Sequence, residues 1–117
     1  MKHKTILISS ALALGLSLGA LTAQAEGDID GAALWEQHCA KCHASDGSGN
    51  TKIGKKMKIE DYTDPAVQAS FTDEEAVKIT LEGFTDENGK EKMKPFGEKL
   101  SEDEAKAVVE HIRTFDD

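Results

Sequence analysis

Cysteine is scarce in this 117-residue chain: there are two, Cys39 and Cys42. That excludes a disulfide framework. Large apolar side chains are also few, and aromatics are only 5% of the residues. A domain of this size with so thin a core needs a staple, and with disulfides excluded a metal or bound cofactor must fill the middle. Positive charge is in deficit as well, with 14 Lys and Arg against 22 Asp and Glu. Such a balance excludes a general affinity for nucleic acid or anionic lipid. The sequence has no internal repeat, no low-complexity segment and no sustained strand alternation. These absences leave one small all-α domain with long loops.

The long apolar stretch lies at the start. Lys2 and Lys4 precede a mostly apolar run from Ile6 to Leu21, and Ala23-Gln24-Ala25 is a small-x-small cleavage site. The run is slightly short for a membrane span, which takes about 20 residues. Residues 1–25 are therefore expected to be a signal peptide cleaved after Ala25, and not an uncleaved anchor. The domain at 26–117 keeps 12 basic residues and all 22 acidic ones, a formal charge of −10. Its expected location is the periplasm, with no stable membrane insertion.

Helix signals punctuate that domain. Asp30 is placed to cap a helix from about Gly31 through His43, with Trp35 and Cys39 one turn apart. The turn-rich stretch Ala44 to Asn50 ends it. Thr51 to Asp61 reads as basic and irregular, with Ile53, Met57 and Ile59 as its apolar points. Asp64-Pro65 is a cap followed by proline at the first helical position, opening a short helix to about Ser70. Thr72 to Glu75 is a capping box that starts a helix closed by Gly83. Thr85 to Lys99 reads as a loop. Ser101 to Glu104 is a second capping box, and Ala105, Val108, Val109, Ile112 and Phe115 form one stripe on the final helix.

The strongest chemical signal is Cys39-Ala40-Lys41-Cys42-His43. On a helix the second thiol falls at i+3 and the imidazole at i+4, so all three project from nearly one face. That arrangement suits two thioether bonds to haem vinyl groups, with the adjacent imidazole reaching the iron. Three other uses compete. A dithiol redox pair usually opens a helix after a strand, whereas this pair ends one. A zinc site would need more ligands beside the pair: only His3, His38 and His111 could join His43, and there is no second cysteine pair. A disulfide from i to i+3 closes a tiny loop and stabilises little. One covalent haem c is the reading that also supplies the missing staple.

An iron held by His43 has an opposite face to fill. A thioether is soft and neutral and favours reduced iron. Met93 sits in Gly89 to Gly97, a loop with no need of a methionine for helix packing. Pro95 stiffens that loop and Phe96 is available to cover a ring edge. Met57 is the competing thioether, read as a core filler. His38 is poorly directed to reach over the haem, and His111 belongs to the last helix. The metal ligands expected are thus His43 and Met93, and the cofactor-binding residues Cys39, Cys42, His43 and Met93. No catalytic residue is expected.

With these residues in place the chain resembles class I monohaem cytochromes c of the soluble bacterial type. The likeness rests on Cys39 to His43 and on Met93-Lys94-Pro95-Phe96. Gly31 and Trp35 match the glycine and aromatic that the family places where its first and last helices cross. Val108 and His111 would be their partners there, and a histidine at 111 departs from the usual aromatic. The segment Ile53-Gly54-Lys55 is a second departure, since the family often has Gly-Pro there, with a carbonyl bonded to the axial imidazole. The resemblance implies a small cytochrome c fold of three to five helices around one haem, with one haem edge exposed. It implies a monomeric electron carrier, not an enzyme, docking redox proteins at that edge. The alternative is a haem enzyme or gas sensor with an open sixth position. Eight of the 12 basic residues lie at 52–58 and 90–99. If both segments rim the haem they form a positive docking face on an acidic protein.

Overall fold

The computed structural model describes residues 28–117, with Gly15 alone before them. The proposed signal segment and its cleavage site lie outside the described residues. Six helices and one short hairpin follow in order: α1 (Gly31–His38), α2 (Ala40–His43), α3 (Lys52–Met57), α4 (Pro65–Gln68), α5 (Asp73–Glu82), β1 (Phe84–Thr85), β2 (Glu91–Met93) and α6 (Glu102–Ile112). Among the described residues no helix is long and apolar enough to cross a membrane.

Helix starts follow the local chemistry of the sequence. The side chains of Asp30, Asp64, Thr72 and Ser101 each accept a backbone N–H in the first turn of their helix. At Thr72 and Ser101 the box is reciprocal, with Glu75 and Glu104 reaching back to the cap N–H. Three expectations need correction. The first helix is not continuous to His43: it breaks at Cys39 and restarts as the short α2. The stretch read as irregular contains α3, capped by Thr51 and ended by Lys58 in the left-handed conformation. The loop read over Thr85 to Lys99 contains the β1–β2 hairpin, with Phe84 opposite Met93 and Thr85 opposite Glu91.

The core lies between the first and last helices. α1 packs most extensively on α6, and α5 packs on the other flank of α6. Gly31 makes the crossing close, because a Cβ there would fall 2.2 Å from the carbonyl oxygen of Ala107. Trp35, Cys39, Phe96, Leu100, Val108 and Ile112 form one buried cluster. Leu34, Tyr62, Phe71, Leu81, Met93 and Phe115 pack partly buried against it. Of the stripe read on α6, Ala105, Val108, Val109 and Ile112 are buried.

Arg113, directly after α6, fastens the helix end to the α4–α5 segment. Its guanidinium donates to the carbonyls of Gln68 and Phe71, to the Gln68 side chain and to Asp73, and lies 4.2 Å from the Phe71 ring centre. The buried Gln68 amide in turn donates to the carbonyls of Tyr62 and Ile112, each at 2.8 Å. A buried amide with its donors and acceptor all engaged ties three chain segments together at little desolvation cost.

Candidate haem-attachment site

The break at Cys39 sets the geometry of the motif. Cys39 is the last cap of α1, its N–H bonded to the Trp35 carbonyl, and its own carbonyl accepts from Cys42 and His43. Cys42 and His43 therefore lie within one tight turn of Cys39. The two thiols are free and not joined to each other; Cys39 is buried and Cys42 half-buried. Burial, with Cys42 beside it, pushes the Cys39 thiol up to about 11, so it is held as the neutral thiol.

His43 is one of three mutually packed rings, since Trp35 and Tyr62 also meet each other edge-on at 6.3 Å. Tyr62 stacks on it, 5.5 Å between centres and 16° from parallel, and Trp35 lies 5.5 Å away on a tilt. Trp35 is itself fixed by an N–H bond to the Ala44 carbonyl at 3.0 Å and by Phe115 at 5.0 Å. Burial pushes the imidazole down to about 4, which keeps it uncharged at neutral pH, the form that ligates metals. Its Nδ1 is buried with no hydrogen-bond partner among the described residues, so no carbonyl of the Ile53-Gly54-Lys55 segment holds the ring. That segment and the residues just before it instead support the backbone of the motif. Thr51 donates its hydroxyl to the Cys42 carbonyl at 2.6 Å, Gly49 donates to the His43 carbonyl at 2.8 Å, and Gly54 is buried against both turns.

Met93 ends β2, half-buried against the cluster that contains Cys39. Phe96 is buried beside it in sequence, with its ring 6.1 Å from His38 in an edge-on contact. His38 thus packs on the loop that follows Met93. His111 packs on Trp35 and Phe115 at 6.1 and 4.8 Å, taking the aromatic role at the helix crossing. Met57 ends α3, half-buried. Among the described residues no three His, Cys, Asp or Glu side chains gather as a metal centre, which leaves the zinc alternative without a ligand set.

A covalently attached haem fits these residues. The thiols are unpaired, the neighbouring imidazole is neutral with its buried nitrogen uncommitted, and a thioether shares their apolar core. Sequence reasoning missed Tyr62, Gln68 and Arg113. Tyr62 is the only tyrosine in the chain, but its stacking on a residue 19 positions away leaves no local signal.

The family model for cytochrome c oxidase, cbb3-type, subunit III matches residues 28–112. Two solved structures are similar over the domain. One, the KustC0563 c-type cytochrome, is 36% identical with a TM-score of 0.66, over 76% of this chain and 100% of that one. The other is a tyrosine-to-phenylalanine mutant of the same protein, 37% identical with a TM-score of 0.63, over 74% of this chain and 99% of that one. No curated protein matches the chain. The helical fold, the free thiols beside a neutral imidazole and a family match over residues 28–112 lead to one conclusion: the chain belongs to the c-type cytochrome family of that model, as a monohaem protein with covalently bound haem c.

Proposed function

We propose that this protein is an exported electron carrier whose haem is held by Cys39 and Cys42 and ligated by His43 and Met93. Haem-based electron transfer with redox partners follows from the family; the ligands, the location and the absence of catalysis are the proposal. The haem supplies a one-electron Fe(III)/Fe(II) couple. The chain's residues do the rest. Cys39 and Cys42 provide two thiols on one turn for thioether bonds. Tyr62 and Trp35 pack together against the His43 ring. Met93 offers a neutral, soft donor from the same apolar core. With His43 and Met93 both given to the iron, the bound haem would have no coordination site left for a substrate, which argues for a carrier over a haem enzyme or gas sensor.

The observation that carries this reading is the packing of Met93 against the buried cluster that includes Cys39. The reading places residues 1–25 as a signal removed after Ala25, the domain 26–117 as a monomer in the periplasm, and partner docking at the haem edge near the lysines of 52–58 and 90–99. The visible spectrum of the ferric protein is the test. His/Met ligation requires a low-spin spectrum with a weak sulfur-to-iron band at the red end, lost in Met93→Ala and kept in Met57→Ala. A high-spin wild-type spectrum would support the open-site alternative, and the opposite pattern in the two variants would make Met57 the ligand.

A further inference from the structure

We infer that Gly83 is a positioning residue for Met93, holding the segment that carries the thioether at its distance from the core. The inference rests on Met93 being the sixth ligand. Gly83 follows α5 directly, with φ 78° and ψ −179°, a conformation that is essentially confined to glycine. A Cβ there would meet the Met93 carbonyl oxygen at 2.6 Å, the Pro95 nitrogen at 2.9 Å and the Lys94 carbonyl carbon at 3.1 Å. All three are backbone atoms of the ligand segment, so no side-chain rotation relieves the contact.

That segment is slung across the end of α5 and fastened on both sides. Before Pro95, Met93 pairs with Phe84, the residue after Gly83. After Pro95, the N–H groups of Phe96 and Gly97 donate to the carbonyls of Thr80 and Leu81, both at 3.0 Å. These are carbonyls that the ending helix would otherwise leave unpaired. Gly97 completes the clasp, since a Cβ there would fall 2.9 Å from the Leu81 carbonyl oxygen. Fixed at both ends and touching at Gly83, the segment has one height above α5. A ligand must be held within about 0.5 Å of its productive position, and a methyl group at residue 83 demands more than that. Releasing the thioether is the way to relieve it.

The experiment compares four haem-loaded proteins: wild type, Gly83→Ala, Gly97→Ala and Gly89→Ala. Gly89 is the matched control. It also has a positive φ, 77°, but a Cβ there meets nothing within 4 Å. The readouts are the sulfur-to-iron band and the affinity of added imidazole for the ferric haem. Gly83→Ala should weaken or lose the band and bind imidazole about tenfold more tightly, equivalent to ~1.4 kcal/mol. Gly97→Ala, at an ordinary φ and so the safer variant to fold, should move both readouts in the same direction by less. Gly89→Ala should match wild type in both. If the wild type has the band, and both Gly83→Ala and Gly97→Ala retain it and bind imidazole as Gly89→Ala does, the inference is overturned while the Met93 assignment stands. If the wild type lacks the band or Met93→Ala keeps it, the ligand assignment itself fails and the inference with it.

Discussion

The indole of Trp35 is only 1% exposed and does three jobs at once. It fills the α1–α6 interface, it donates to the Ala44 carbonyl, and its ring packs on the His43 imidazole. Trp35→Phe keeps an aromatic but removes one of the two donors to that carbonyl, which still accepts the Gly47 N–H at 3.2 Å. We expect a loss of ~1 kcal/mol, that of a typical net hydrogen bond, read as a lower denaturant midpoint of the haem-loaded protein. Tyr62 stacks on the imidazole and also meets Trp35 edge-on. Tyr62→Phe should preserve the stack and the ferric EPR spectrum, whereas Tyr62→Leu should broaden or shift it by letting the ring turn. An unchanged spectrum in Tyr62→Leu would mean that Trp35 alone sets the ring.

At the scale of elements, two locks hold the framework. Arg113 ties α6 to the α4–α5 segment through two backbone carbonyls and the Gln68 side chain, and its ion-pair partner Asp73 is 65% exposed. Arg113→Ala should therefore cost ~2 kcal/mol, and Asp73→Asn less than ~0.5 kcal/mol, as exposed ion pairs do; equal losses would show that the ion pair is the main contribution. The second lock is the hairpin turn. The Asp86 carboxylate accepts the N–H groups of Lys90 and Asn88, each at 2.9 Å, and faces Lys92 at 3.8 Å. The Lys90 bond, then Asn88 and the two lysine charges, hold its pKa below the usual value. A depressed pKa means that this support is complete above about pH 4, the ordinary carboxylate range, and is lost as pH falls through the lower folded value. Amide exchange at Lys90, corrected for intrinsic rate, should accelerate on acidification in the wild type and be fast at every pH in Asp86→Ala. These elements also mark how far the sequence was readable. Asp30, Asp64, Thr72 and Ser101 announced their helices because capping is local chemistry. α3 did not: it has six residues, Gly54 within it and no apolar stripe, so its order comes from packing on α2. The hairpin strands of two and three residues are too short to show alternation. The motif and Met93 stood out by spacing and residue type, whereas the Tyr62 wall and the Gly83 clasp depend on chain crossings that no window of sequence contains.

For the whole molecule the uneven charge matters most. All four lysines of 52–58 and all four of 90–99 are exposed, on a domain of formal charge −10. Lys94 and Lys99 lie over the Phe96 ring, at 5.4 and 6.0 Å from its centre, so part of this charge stands beside the loop that carries Met93. Lys94→Glu should slow electron transfer to an acidic redox partner about tenfold or more at low salt, with the difference shrinking as ionic strength rises. Lys92→Glu should act in the same direction. Equal rates at every salt concentration would remove these lysines from docking. The closure of α6 over α1 also has an order in time. Cys39 is 6% exposed with Val108 and Ile112 packed beside it, and those residues lie some seventy positions later in the chain than the thiol they cover. Before α6 packs, the Cys39 thiol lacks that cover. The last helix is therefore the door of the workshop: a chain that shuts it before haem arrives would present a covered thiol at Cys39.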